Sequence, residues 1–152
     1  DSAIQDADSY EVPDSISGLV YIDGDYGSTG IEGTNAVNGT GILIVHNPLY
    51  NPREHDPADP MYDAAKASNL EVYGPANLGN INGGTFHGLI IADKINRING
   101  NINIIGAVVS LTEIDITLVG NGTAEILYSC SALTQAGNSS PLPPARLAWS
   151  AD

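Results

Sequence analysis

A short phrase recurs along the chain, in which a glycine precedes a run of apolar residues. It occurs four times, at 18–22, 41–45, 88–92 and 106–110. The first and last steps between these glycines are about 20 residues, a period typical of solenoids, and the middle step is about twice as long. Gly- and Asn-rich turns such as Asn82-Gly83-Gly84 lie between the runs. The pattern predicts an all-β, single-domain β-solenoid resembling a parallel β-helix.

Three further segments alternate polar and apolar residues, as half-buried strands do. They cover residues 101–105, 113–118 and 123–128. Ile dominates these segments, and β-branched side chains suit a pleated surface. Helical periodicity is confined to one short stretch, Tyr62 to Ala67.

The same patterns divide the chain into three parts. Residues 1–13 are acidic and weakly patterned, which indicates an N-terminal arm. Residues 14–135 form the predicted solenoid, interrupted by a proline-rich insertion at 47–70, where proline cannot donate to a strand ladder. Residues 136–152 are rich in Ser and Pro and carry Trp149, which predicts a C-terminal strap or cap.

Both alternating faces of the glycine-led runs are apolar, whereas a solvated outer face would be polar. An outer apolar face needs a cover, and the insertion, the arm and another molecule are the alternatives. One face includes Val20, Leu43, Ile90 and Val108. We predict these four residues as the interface with a neighbouring subunit.

Composition restricts the partners. The formal net charge is −13, from 18 acidic and 5 basic residues. Nucleic acid binding requires Lys and Arg to neutralise phosphates, so we predict that the chain does not bind nucleic acid. Anionic membrane surfaces are disfavoured as partners for the same reason. The single cysteine, Cys130, cannot form an internal disulfide. The chain shows no signal peptide or membrane-spanning run, and we expect a targeting segment to have been removed before Asp1.

Candidate chemistry is sparse. Four carboxylates of the insertion, Glu54, Asp56, Asp59 and Asp63, lie within ten residues. Such a loop is either a Ca²⁺ site or a solvated acidic surface, and calcium is the one cofactor that the sequence suggests. The Asp23-Gly24-Asp25 turn is a second calcium candidate. The best candidates for catalytic residues of a polysaccharide-cleaving enzyme are Asp93, Lys94 and Arg97. The simpler interpretation is that these three are ordinary charged surface residues. No catalytic residue is assigned.

The second half of the chain resembles a known family. The carrying residues are 82–92 (NGGTFHGLIIA), 98–101 (INGN), 105–109 (IGAVV), 120–129 (GNGTAEILYS) and the ending 146–149 (RLAW). They resemble the C-terminal domain of PilX-type pilus assembly proteins of Geobacter-like bacteria. The resemblance implies a role in a type IV pilus-like machinery, in which members begin with a pilin-like helix that this sequence does not contain.

Three functions follow as alternatives. The first is a non-enzymatic, pilin-like structural subunit of an extracellular filament at the bacterial cell surface, with itself, other pilin-like subunits or a helical pilin-like protein as partner. The second is a carbohydrate- or surface-binding adhesin using Tyr26, Tyr50, Tyr62 and Tyr73. The third is a polysaccharide-active enzyme.

Overall fold

The computed structural model describes residues 4–6, 15–26, 35–79, 81–112 and 125–139. About half of these residues are in strands and about 22% are in helices. The strands are β1 (Ile4–Asp6), β2 (Ile16–Asp23), β3 (Asn35–Ala36), β4 (Gly39–His46), β5 (Asn77–Leu78), β6 (Ile81–Ala92), β7 (Lys94–Ile95), β8 (Ile98–Ser110) and β9 (Glu125–Tyr128). The helices are α1 (Pro52–His55), α2 (Ala64–Ser68), α3 (Leu70–Tyr73) and α4 (Cys130–Ser139).

The main sheet is parallel throughout. Its strand order is β1-β2-β4-β6-β8-β9, with β3 pairing beside β6, and β5 and β7 form a separate two-stranded parallel sheet. The four glycine-led runs are β2, β4, β6 and β8, and their glycines stand in one register, Gly18 opposite Gly41, Gly88 and Gly106 in turn. The repeated phrase therefore marks strands that are neighbours in one parallel sheet.

The core lies against one face of this sheet. Because side chains at the same register of parallel strands share a face, Leu43 and Ile90 stack in one row, and both are 0% exposed. Val45 and Ala92 form the next row and are equally inaccessible. The remainder of the core cluster comes from other strands and turns, including Ile22, Tyr26, Val37, Leu78, Ile81, Phe86, Ile95, Ile98, Ile102 and Ile104.

The aligned glycines have a steric cause. Gly88 and Gly106 have φ angles of 144° and 149°, which L side chains rarely adopt. A Cβ at Gly88 would overlap the carbonyl oxygen of Gly41, and one at Gly106 would overlap the carbonyl oxygen of Gly88. Each glycine thus permits the close approach of the preceding strand, which no other residue allows.

The prediction of an all-β solenoid is wrong. The described residues form an open parallel sheet accompanied by helices, which is an α/β arrangement rather than a closed all-β coil. The glycine-led repeat specifies parallel neighbours in register, but it carries no information on how the connecting segments fold. The helices lie in the insertion, between β4 and β5, and directly after β9, which is the last described strand.

The second face of the sheet is covered in part by α4. This helix contacts β2, β4, β6 and β8, and its Ala132 and Ala136 are buried outside the main core cluster. The Ala136 Cβ would lie 3.0 Å from a Cβ placed at Gly88, so the small residues of helix and strand allow close packing. This part of the second face is therefore covered by α4, and not by the insertion or the N-terminal arm.

The predicted interface residues lie on the inner face. Leu43 and Ile90 are fully buried in the core, and Val20 and Val108 pack against it. They are therefore core residues, which corrects their assignment as an outer contact surface. Since both faces of each run are apolar, the sequence alone did not distinguish inner from outer.

The predicted boundaries are partly visible. The arm contributes β1, which pairs with Tyr21–Asp23 of β2. The insertion contains no strand and runs on to α3, three residues beyond its predicted end. Residues 136–139 belong to α4, whereas 113–118, 123–124 and Trp149 lie outside the described residues.

Candidate functional site at the base of the insertion

Asp93 is the buried charged residue of the part of the chain that the structure describes. It follows β6 at the turn into β7, and its residue is 1% exposed. Its Oδ1 lies 2.7 Å from Nδ1 of His46, and its Oδ2 accepts hydrogen bonds from the backbone N–H groups of Asn47 (2.8 Å) and Ala76 (3.0 Å). A buried carboxylate requires such partners, because an unpaired buried charge costs several kcal/mol.

These contacts join the two ends of the inserted segment. Asn47 is its first residue and Ala76 immediately precedes β5, so one carboxylate oxygen holds both ends. The Asn47 side-chain amide adds hydrogen bonds to the carbonyl oxygens of Val72 (3.0 Å) and Gly74 (2.8 Å). We call Asp93 and Asn47 together the clasp.

Beyond the clasp, the insertion is largely self-contained. Its helices pack chiefly on one another, α1 on α2 and α2 on α3. Asn51 caps α1 and Asp63 caps α2, each accepting backbone N–H bonds as capping residues do. Half of the large apolar side chains that are exposed in the described residues belong to it, namely Leu49, Met61, Tyr62, Leu70 and Val72.

The negative charge of Asp93 contributes to the raised pKa of two tyrosines near the clasp. Burial, followed by the charges of Asp23 and Asp93, raises the pKa of Tyr21 above its ordinary value. Burial, followed by the charge of Asp93, likewise raises the pKa of Tyr50. The Tyr21 ring also meets His46 edge-on, with ring centroids 6.4 Å apart. Both phenols therefore stay neutral to a higher pH than exposed tyrosines.

A cleft of about 520 Å³ opens beside the clasp. One wall is α3 with Leu70, Glu71 and Val72, and the other is the Asp23–Asp25 turn that follows β2. Leu70 is 62% exposed and Val72 is 41% exposed. Asp25 accepts hydrogen bonds from the backbone (2.7 Å) and side-chain (3.2 Å) amides of Asn77, which fixes the turn against β5. The cleft thus combines carboxylates with accessible apolar side chains.

The four predicted calcium ligands are each engaged by protein donors. Glu54 pairs with Lys66 at 2.9 Å, and Asp59 pairs with the Arg53 guanidinium at 3.0 Å. The Arg53 hydrogen bond, followed by that of the Met61 N–H, lowers the pKa of Asp59. Asp56 accepts the Ala58 N–H, and Asp63 caps α2. Across the described ranges, no three His, Cys, Asp or Glu side chains are grouped to hold a metal ion.

The other sequence candidates are separated by the fold. Asp93 is buried in the clasp, whereas Lys94 and Arg97 are exposed. Among the tyrosines proposed to stack on sugars, Tyr26 and Tyr50 are 5% and 9% exposed, so they belong to the interior. Tyr62 is accessible, and Tyr73 lies beneath the Lys66 ammonium, which is 5.7 Å from its ring centroid.

Sequence reasoning missed the clasp. Asp93 lies 46 residues from Asn47 and 17 from Ala76. The available signal was that Asp93 directly follows a wholly apolar run, where a carboxylate is costly unless backbone donors surround it. Nothing in the pattern pointed to the ends of the insertion as those donors.

The two edges of the main sheet form a second candidate surface. In the described ranges, β1 pairs only with residues 21–23 of β2, so residues 16–20 have no strand on that side. At the other edge, β9 pairs with residues 103–106 of β8, and no described strand pairs with 107–110 on that side. Exposed apolar side chains gather at this edge: Val109, Leu111, Ile126, Leu127 and Tyr128.

The fold and its surfaces define the class of the molecule: an α/β protein with an open parallel sheet and a clasped insertion. Comparison with protein-family models, curated proteins and solved structures gave no match. The resemblance to PilX-type proteins therefore rests on the quoted motifs alone. Within the described residues, no helix has the length and apolarity needed to cross a membrane.

Proposed function

We propose that this chain is a structural subunit of an extracellular, pilin-like filament, assembled through the edges of its parallel sheet. The observation that carries the proposal is that the two sheet edges are complementary in register. Parallel strands of one direction at both edges allow a second copy to continue the same ladder by translation. A head-to-tail contact of this type generates an open filament when the rotation between successive copies does not close into a ring.

The register specifies how two copies would meet. Tyr128 stands at the level of Gly106, and therefore at the level of Gly18 in the same register. The β9 strand of one copy would lie beside residues 15–18 of the next. The β1 strand of that next copy stands at the level of residues 21–23, and would lie beside the uncovered end of β8 in the first. The short β9 and β1 strands would share one layer without overlapping.

Apolar burial supports the same contact. Ile126 continues the row of Phe86 and Ile104, both 0% exposed, yet Ile126 itself is 40% exposed. The row of core side chains is therefore still partly exposed to solvent where it ends at β9. Tyr128 is 73% exposed, so covering these two side chains at a subunit contact would remove further apolar surface from water, which is favourable.

Engineered cross-linking tests the register. The proposed joint places Leu127 of one copy beside Ser17 of the next, at the strand spacing of about 4.8 Å, which a disulfide can bridge. In a background with the exposed Cys130 replaced by Ser, we would mix the single variants Leu127→Cys and Ser17→Cys under mild oxidation. A cross-linked dimer is expected in the mixture and not in a control mixture of Leu49→Cys with Ser17→Cys.

Electron microscopy and sedimentation of the unmodified chain complete the test. Leu127→Lys should reduce the assembled fraction, while Leu49→Lys, at a similarly exposed leucine in the insertion, should leave it unchanged. A wild-type chain that stays monomeric at every salt concentration, or equal cross-linking in both mixtures, would overturn the proposal.

A further inference from the structure

The two walls of the cleft beside the clasp differ in character. On α3, Leu70 and Val72 line the cleft and are both exposed, so a bound ligand could bury more of their apolar surface. Across the cleft stand Asp23 and Asp25, with Glu71 on the α3 side. An exposed apolar wall flanked by carboxylates is complementary to a surface with the opposite charge and a similar apolar part.

Within the described residues, no ion pair includes Asp23, Asp25 or Glu71 of the cleft. In the part of the chain that the structure describes, the ion pairs of the carboxylates are those of Asp93, Asp59 and Glu54. Both basic residues of the insertion, Arg53 and Lys66, are taken up in these pairs. The lining amides are also engaged, since Asn47 binds Val72 and Gly74, and Asn77 binds Asp25 and Pro75. A cation is therefore the complementary ligand, and the net charge of −13 attracts it from a distance.

We propose that this cleft binds a basic, amphipathic segment of a partner protein, in which Lys or Arg neighbours an apolar side chain. A bare metal ion fits less well, because no three carboxylates of the described residues converge to hold one. The apolar stem of Lys or Arg would lie along Leu70 and Val72 while its charge reaches Glu71 and Asp23. Leu70 and Glu71, whose replacement tests this site, lie in α3 and belong to neither of the sheet edges proposed for assembly.

A labelled peptide of alternating Leu and Lys is the probe, and its fluorescence anisotropy measures binding at about 0.15 M salt, where the Debye length is about 8 Å. Leu70→Ser should weaken binding about tenfold, because a largely buried Leu contributes about 1.5 kcal/mol. Glu71→Gln should weaken it by up to about fivefold, the usual range for a surface ion pair. Circular dichroism should be unchanged, since both side chains are exposed.

Two matched variants in the same insertion serve as controls. Asp56→Asn removes a charge outside the cleft, and Met61→Ser removes an exposed apolar group outside it. Each should change binding less than about twofold, within the range of ordinary surface substitutions. Equal weakening by Asp56→Asn and Glu71→Gln would show general attraction to an acidic protein and overturn the site. A Gly–Lys peptide that binds as tightly as the Leu–Lys peptide would overturn it as well.

Discussion

At the residue scale, the sequence pattern revealed the glycines at the common register but not the role of the buried Asp93. The glycines were visible as a repeat, and their spacing along the chain was interpreted as the period of a solenoid. Their shared steric role, the close approach of one strand's carbonyl to the next glycine, is local to the sheet. Asp93 was visible only as a charged residue after an apolar run, and its partners come from distant segments.

Replacing Gly88 by Ala tests the glycine register. The added Cβ would overlap the Gly41 carbonyl oxygen and press on Ala136, at a φ of 144°. Strain and overpacking together should lower the free energy of unfolding by about 3 kcal/mol. Chemical denaturation with circular dichroism measures the change.

Gly137→Ala is the matched control, because nothing lies within 4 Å of its added Cβ in α4. Alanine favours a helix interior over glycine by about 1 kcal/mol, so this variant should be neutral or slightly more stable. If Gly88→Ala unfolded at the same denaturant concentration as Gly137→Ala, the close approach of the strands would be refuted.

At the scale of elements, the insertion is a folded unit joined to the sheet mainly through its base. Its helices pack on one another, and its own ion pairs and caps stabilise it internally. The sequence predicted its position from four prolines, and predicted one helix near its centre, where α2 lies at Ala64–Ser68. It did not predict α1 or α3, which are only four residues each and stabilised by tertiary contacts.

Asp93→Asn tests the clasp. The amide keeps the shape of the carboxylate but removes its charge, which weakens hydrogen bonds from His46, Asn47 and Ala76. We expect a loss of about 2–3 kcal/mol in the free energy of unfolding. Hydrogen exchange should accelerate first in residues 47–76, while the amides of β4 and β6 remain protected.

Asp59→Asn provides the comparison, because it removes a carboxylate from an exposed ion pair with Arg53. Surface pairs of this kind contribute little, so exchange in the insertion should barely change. Uniform acceleration over the sheet and the insertion in Asp93→Asn would contradict the clasp, since it would mean that Asp93 stabilises the whole fold rather than the base of the insertion.

At the scale of the whole molecule, charge opposes any assembly of identical copies. Each copy carries a formal charge of −13, and two such copies repel at distances below the Debye length. The proposed sheet-edge contact relies on backbone pairing and apolar burial, which salt does not weaken.

Assembly should therefore strengthen as salt rises. Between about 0.01 M and about 0.15 M ionic strength the Debye length falls from about 30 Å to about 8 Å. Sedimentation across this range should show a larger assembled fraction at the higher salt. Dissociation by salt would contradict the proposed contact, because it would point to charge pairing between subunits.

The sequence by itself determined the four glycine-led runs, which form strands of one parallel sheet, and a proline-rich insertion, which contains no strand. These follow from local periodicity: a glycine-led apolar run needs a pleated, close-packed neighbour of the same kind, and proline excludes the insertion from the ladder. The same patterns gave a wrong fold class, because they describe the strands and not the helices of the insertion or the helix after β9.

Only the tertiary structure decided which apolar face is inside, what covers the other face and where the buried carboxylate finds its donors. Val20, Leu43, Ile90 and Val108 could not be placed from the sequence, because both faces of their strands are equally apolar. The packing of α4 across the second face made the distinction. The clasp and the cleft likewise depend on segments far apart in the chain, whose meeting is set by the path of the backbone rather than by any local preference.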